Sequence, residues 1–222
     1  VRAAGLVLTL CSGCAATTLA PGIVRLAPVE PTKGESYLGV RTGPRIGTAV
    51  ETQRLQADLG FQEPPELGSA FELQIARPLI GGLSVHLGAQ GEVFFGLPAP
   101  AFGAMAGLSW FTRAGPLGVA PAFSVRGATD FGLSAVMPPG SMVGADVSVS
   151  ISLAEGETAQ LGLTPFASVQ RSFGAIEVSS LLAGALVTAR FLAVELQLGL
   201  GRVFTGTQAW NVPMLGIRTG GN

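Results

Sequence analysis

Lysine is nearly missing from this chain. Lys33 is the only one among 222 residues, and charged residues of every kind make up 12% of the total, about half the share usual in a soluble domain. Too few charges remain to cover a water-facing surface. The formal net charge is −1, so there is no basic field to draw in a polyanion, and nucleic acid is not expected as a partner. Both cysteines, Cys11 and Cys14, lie within the first fifteen residues, which leaves the rest of the chain without disulfide or thiol chemistry. His86 is the only histidine. Multi-histidine metal sites and two-histidine acid–base pairs are therefore excluded, and no cofactor is expected. No run of about 18 or more apolar residues occurs, so a membrane-spanning helix is not available. Any crossing has to be made by strands.

What the chain does contain is alternation. From Val143 to Leu153, Val143, Ala145, Val147, Val149, Ile151 and Leu153 alternate with Gly144, Asp146, Ser148, Ser150 and Ser152. Successive side chains of a strand point to opposite faces, so this strand has one aliphatic face and one small, polar face. Leu83, Val85, Leu87 and Ala89 against Ser84, His86, Gly88 and Gln90 repeat the pattern, as do Leu196, Leu198 and Leu200 against Glu195 and Gln197. The polar face of a soluble sandwich would carry abundant Lys, Glu and Arg. Here it carries Gly, Ala, Ser, Thr, Gln and isolated charges, a composition suited to a narrow lumen.

Ten strands are predicted, over 36–46, 69–79, 83–95, 101–112, 117–129, 142–153, 158–170, 176–188, 191–203 and 208–219. Ile80-Gly81-Gly82, Ala114-Gly115-Pro116, Glu155-Gly156 and the region of Ala189-Arg190 read as tight turns, each followed by a looser connection. Tight turns thus fall on one side and the longer loops on the other. The segment 176–188 is the least regular, because Leu181, Leu182, Ala183, Ala185, Leu186 and Val187 make both faces apolar, which leaves an eight-stranded barrel as the alternative. Phe94, Phe95, Phe102, Trp110, Phe111, Phe131, Phe173, Phe191, Phe204 and Trp210 cluster near strand ends, as an aromatic girdle requires. By this pattern, across most of residues 36–222, the chain resembles small outer-membrane barrel proteins of Gram-negative bacteria. The resemblance implies an all-β, antiparallel up-and-down transmembrane β-barrel with short periplasmic turns, longer outer loops and an even strand count.

The N-terminus has its own logic. Arg2, the apolar run Ala3 to Leu10 and then Cys11-Ser12-Gly13-Cys14 follow the layout of an export signal. Leu10-Cys11-Ser12-Gly13-Cys14 resembles a bacterial lipobox, with Cys11 standing where leucine is usual. The resemblance implies a signal peptide over 1–13, lipidation of Cys14 and anchoring of the N-terminus in the outer membrane. Pro21, Pro28 and Pro31, with Gly22 and Gly34, make residues 14–35 read as a tether.

The predicted inward-facing polar residues are Arg41, Arg45, Glu72, Gln74, His86, Gln90, Glu92, Arg126, Asp146, Glu195, Gln197 and Arg218. Charges removed from bulk water need partners, so a paired network filling the lumen is expected. Ser84, His86 and Glu92 share one strand face, and Glu72 on the preceding strand is better placed than Glu92 to orient the histidine. These residue types make a hydrolytic set when assembled, but catalysis is not expected from this spacing. Between the first two strands, Thr48 to Phe61 holds Val50, Leu55, Leu59 and Phe61 among charged residues, which reads as a short amphipathic helix packed over a rim. The expected role is structural, anchoring or scaffolding in the cell envelope, with membrane lipid as partner and the long loops open to an envelope protein. A small pore, a lipocalin-like barrel with the two faces exchanged, and a soluble β-sandwich binding an apolar ligand are the alternatives.

Overall fold

The computed structural model describes residues 34–45, 66–92, 101–130, 141–156, 158–173, 179–206 and 208–221. Among them the only regular structure is β-strand. The strands are β1 Glu35–Arg45, β2 Glu66–Pro78, β3 Leu83–Glu92, β4 Ala101–Trp110, β5 Thr112–Ala114, β6 Leu117–Asp130, β7 Ser141–Glu155, β8 Ala159–Phe173, β9 Ser179–Phe191, β10 Val194–Thr205 and β11 Gln208–Gly221. Apart from β4 and β5, which both pair with β6, each pairs antiparallel with its neighbours in sequence, and β1 pairs with β11 from Ser36↔Gly221 to Arg41↔Gly216. The sheet therefore closes on itself. β4 and β5 both pair with β6 and are one strand interrupted at Phe111, so the barrel has ten staves. Closure leaves no sheet edge, which removes the template on which a long apolar strand would otherwise aggregate.

The expectation of a closed ten-stranded barrel is met, and the β-sandwich and eight-strand alternatives are not. β9 is a full strand, in register with β8 from Val169↔Leu181 to Ala159↔Phe191. Its double apolarity has a physical cause: Leu182 and Leu186 point into an apolar sector of the lumen, whereas Leu181 and Val187 point outward. The signal and tether expected over 1–35 lie outside the described residues except for Gly34 and Glu35, and Glu35 already begins β1. The amphipathic helix expected over Thr48 to Phe61 also lies outside them.

Strand lengths run from 10 residues in β3 to 15 in β7, counting β4 and β5 together. At about 3.3 Å per residue and a tilt near 40° they rise about 25–38 Å, enough to cover an apolar band of about 25 Å. The exposed and buried classes alternate along nearly every stave, as in β10. Outward positions are aliphatic, and Leu198 at mid-strand is 62% exposed. The exchange of faces in the lipocalin-like alternative is thus corrected: the apolar face is outside. Aromatic residues mark both ends of that outer face. Trp110 and Phe191 lie toward the tight turns, and Phe102, Phe173 and Phe204 toward the longer connections. Two of the predicted girdle residues are elsewhere. Phe111 is buried where β4 breaks, its N–H donating to the Gly82 carbonyl, and Trp210 packs inward on the apolar sector. Phe94, Phe95 and Phe131 lie outside the described residues.

The fourth tight turn is at Leu192-Ala193 and not at Ala189-Arg190, because both of the latter remain paired with β10. Phe191 and Val194 face each other across a two-residue connection whose first residue, Leu192, has φ 54°. A first turn residue at positive φ matches the right-handed twist of a hairpin but costs a side-chain-bearing residue strain. Leu192→Gly is expected to raise stability by about 0.5–1 kcal/mol, strain relief outweighing the added entropy of the unfolded chain. The shift would be read as a later unfolding midpoint in urea, and an earlier one would refute it.

Candidate functional site in the barrel lumen

Ten of the predicted inward residues are buried in the described structure: Arg41, Glu72, Gln74, His86, Gln90, Arg126, Asp146, Glu195, Gln197 and Arg218. Glu92 and Arg45 fall within β3 and β1, and their side chains lie outside the described residues. Among the described residues the buried charges are three arginines and three carboxylates, so their charge balances.

The larger network spans β1 to β4 and closes through β10 and β11. Glu72 pairs with Arg41 and lies 3.2 Å from Arg218 Nε. Arg218 lies 3.7 Å from Glu195, which accepts a hydrogen bond of 2.9 Å from Gln197. Arg218 also donates to Gln74 Oε1, the Gln74 amide nitrogen is 3.3 Å from His86 Nδ1, and His86 Nε2 is 2.8 Å from Ser109 Oγ. One continuous path of polar contacts therefore ties six of the ten staves. A second network joins β6, β7 and β8: Arg126 lies 3.2 Å from Asp146 and donates at 2.9 Å to both Ser168 and Gln170, while Ser124 donates to Asp146 at 3.2 Å. Thr164 and Ser150 add a bond of 3.0 Å between β7 and β8.

Register explains how such long side chains fit. Arg218, Gly39 and Glu72 lie opposite one another on β11, β1 and β2. With no side chain on Gly39, Arg218 lies across β1 to reach Glu72; a Cβ there would stand 2.6 Å from Arg218 Cγ. Arg126, Gly144 and Gln170 repeat the arrangement on β6, β7 and β8, where a Cβ at Gly144 would be 3.1 Å from Arg126 Nε. Gly216, opposite Arg41 and Gln197, opens the same kind of gap. In the first two cases the guanidinium passes over a glycine to a partner two staves away. Only the cross-strand register shows which long side chain each one admits.

The hydrolytic set is not assembled. Glu72 stands opposite Gln90, four residues along β3 from His86, a separation of about 13 Å. Its carboxylate is taken by Arg41 and Arg218. The histidine faces Gln74 and Ser109 instead. Because Gln74 Oε1 accepts from Arg218, its amide nitrogen is the group facing His86 Nδ1, and that nitrogen can only donate. The ring proton therefore sits on Nε2 and is donated to Ser109. An imidazole in that tautomer cannot serve as base to the serine it faces.

Apolar side chains also line part of the described lumen, which alternation in the sequence did not foretell. Phe166, Leu182, Leu186, Val203, Val212 and Met214 form a buried cluster on β8 to β11, with Trp210 against it. Two glycines make room between large residues across the staves: Phe166 faces Gly184, which faces Gly201, which faces Val212. This is how side chains fill a small barrel. Ala70 of β2 packs with Met142 of β7, staves separated by most of the barrel's width. At that level the wall residues meet across the lumen.

Among the described residues no group of three or more histidine, cysteine or acidic side chains is placed to hold a metal ion. No protein-family model matches the chain, and no curated protein matches it. Among solved structures it is similar to KdgM porin, at 8% identity over 83% of this chain and 98% of that one, with a TM-score of 0.37. It is also similar to the outer membrane phospholipase A of Escherichia coli, at 10% identity over 89% and 98%, with a TM-score of 0.32. The phospholipase dimer of Salmonella typhi with bound calcium is 11% identical over 92% and 94%, at a TM-score of 0.32. Likeness at this level of identity and TM-score bears on neither the role of this chain nor the roles of its residues.

Proposed function

We propose that this chain is a membrane-embedded structural barrel of the Gram-negative outer membrane, attached at its N-terminus through lipidated Cys14, with no catalytic activity of its own. The observation that carries the reading is the inverted polarity of the wall. Aliphatic side chains such as Leu73, Leu87, Val147, Leu198 and Ile217 face outward and exposed, while charged residues are buried inside. In water such a surface would be a very large apolar patch, and in a bilayer it is solvated by acyl chains. Closure of the sheet satisfies the backbone groups that lipid cannot. The lumen's paired charges and packed apolar sector favour a rigid anchor or scaffold over a conduit, since no sign of charge prevails there to select an ion. The loops and the tether are where an envelope protein would attach.

The test uses the full chain and a Cys14→Ala variant. The variant is expected to stay with the outer-membrane fraction, to need detergent for extraction, and to run at a different apparent mass before and after boiling in sodium dodecyl sulfate. Labelled fatty acid should enter the parent chain and not the variant. Planar bilayers holding the purified barrel should show no steady ion current. Release of the variant as a detergent-free monomer would end the membrane reading, and a steady single-channel current would replace the scaffold with a pore.

A further inference from the structure

The seam that closes the barrel is shorter than the strands that make it. β1 pairs with β2 over its whole length, Glu35 to Arg45, and β11 pairs with β10 from Gln208 to Thr219. Between β1 and β11 the register runs from Ser36↔Gly221 to Arg41↔Gly216 and, among the described residues, goes no further. Pairing therefore covers the half of the seam nearer the tight turns. At the next step the Leu215 N–H does not meet a carbonyl of β1. It donates to the Thr42 hydroxyl at 2.8 Å, and that hydroxyl donates in turn to the Leu215 carbonyl at 3.3 Å.

Alternate residues of a strand direct their backbone groups to the same side. After Thr42 and Leu215, the next residues to face the seam are Pro44 and Pro213, which the same register sets opposite each other. Neither has an N–H. The ladder cannot continue through them, and a strand from another chain would find no donor at this level either. Edges that part at these two prolines orphan no N–H there, and an orphaned N–H is what makes open backbone costly in hydrocarbon.

Behind the gap the inner wall is bare on one side and apolar on the other. Gly43 and Gly68 stand opposite each other on β1 and β2, so neither stave carries a side chain at that level. The seam register brings Met214 beside Gly43, and Met214 and Val212 are the β11 members of the buried apolar cluster. One row nearer the tight turns, Ala70 packs with Met142, and Arg41 is engaged by Glu72. On the outside, Leu215 is exposed in the aliphatic wall.

From this arrangement we infer that the unzipped half of the β1–β11 seam is a lateral entrance from the loop-side leaflet, through which one acyl chain of a membrane lipid binds over Gly43 and Gly68 and against Met214 and Val212. An acyl chain asks for no hydrogen bond, which suits edges stripped of donors. Methionine adapts its shape to such a guest. The inference rests on the membrane reading above and goes beyond it by giving the apolar sector a ligand class and a route in.

The full chain carrying Trp110→Phe, so that Trp210 alone reports, would be reconstituted in phosphatidylcholine bilayers with brominated acyl chains. Trp210 packs against the apolar cluster from inside the wall. Its emission is expected to fall by about half relative to unbrominated lipid, since this quenching needs near contact. Pro44→Val with Pro213→Val restores both donors, and slow hydrogen exchange at the two restored amides would show the seam zipped. Gly43→Leu fills the inner wall and leaves the prolines in place. Each variant should reduce the quenching at least about threefold, by removing that contact. If the restored amides exchange freely, the Gly43→Leu result alone decides. An unquenched Trp210 in the parent, or unchanged quenching with the seam zipped or the inner wall filled, would overturn the inference. Mobility that still depends on boiling beside an unquenched Trp210 would remove the entrance and keep the membrane barrel. A parent chain that is soluble without detergent would remove both.

Discussion

Glu72→Ala is expected to destabilise the folded barrel by about 3–5 kcal/mol, the cost of removing one partner from a buried ion pair. Glu72 is the carboxylate that both Arg41 and Arg218 face, and all three residues are almost fully enclosed. Deleting it leaves two buried guanidinium groups beside one negative charge fewer, where solvent cannot compensate. The measurement is reversible urea unfolding in lipid or detergent, followed by intrinsic fluorescence of Trp110 and Trp210. Two controls make the result specific. Glu72→Gln retains hydrogen-bonding atoms without the charge, so its loss should be intermediate. Combining Glu72→Leu and Glu195→Leu with Arg41→Met and Arg218→Met removes Arg218's second carboxylate as well, replaces charges by apolar volume and should recover most of the stability, because exchanging a whole buried ionic group for packed apolar residues is often neutral. If Glu72→Ala unfolds at the same urea concentration as the parent, the network is not what holds β1, β2 and β11 together.

The second large effect is on the outer face. Leu198→Arg is expected to cost about 2–4 kcal/mol of stability in a bilayer, the penalty for arginine on the lipid face near the midplane. Leu198 is mid-strand on β10 and among the most exposed of the large apolar residues. The same substitution nearer an end, at Val194, is expected to cost about 1 kcal/mol or less, because there the side chain reaches the interface. This depth dependence is the signature sought: it appears in folding measured in liposomes and has no reason to appear for a barrel in water. Equal and small effects at both positions would mean that β10 does not meet hydrocarbon.

Much of this was legible in the chain because alternation is a local property. A period of two in the segment from Val143 to Leu153 names both faces of β7 without reference to any other strand, and Gly81-Gly82 and Gly115 mark turns whose positive φ requires them. The inward polar residues were found by the same parity, and ten of them are buried as expected. What parity cannot supply is partnership. His86 was placed inward correctly, but its neighbours, Gln74 and Ser109, follow from the registers of β3 with β2 and with β4. The apolar sector carried only an oblique signal. Leu182 and Leu186 made β9 apolar on both sides, which reads as a poor strand until Phe166, Val212 and Met214 are brought to face them.

The sequence by itself determined that the chain folds as long two-faced strands joined by alternating tight and loose connections, with too few charges for an aqueous surface. Those conclusions depend only on the order of neighbouring residues, since side-chain direction in a strand is set by the backbone one residue at a time. The tertiary structure decided which face points outward, that the number of staves is ten, and that paired charges and an apolar cluster both line the described lumen. It also decided that Gly39 and Gly144 are the gaps through which Arg218 and Arg126 reach their partners. These depend on residues that are distant in the chain and become neighbours only through strand register and closure. A shift of one residue in any pairing would send every side chain of that strand to the opposite face.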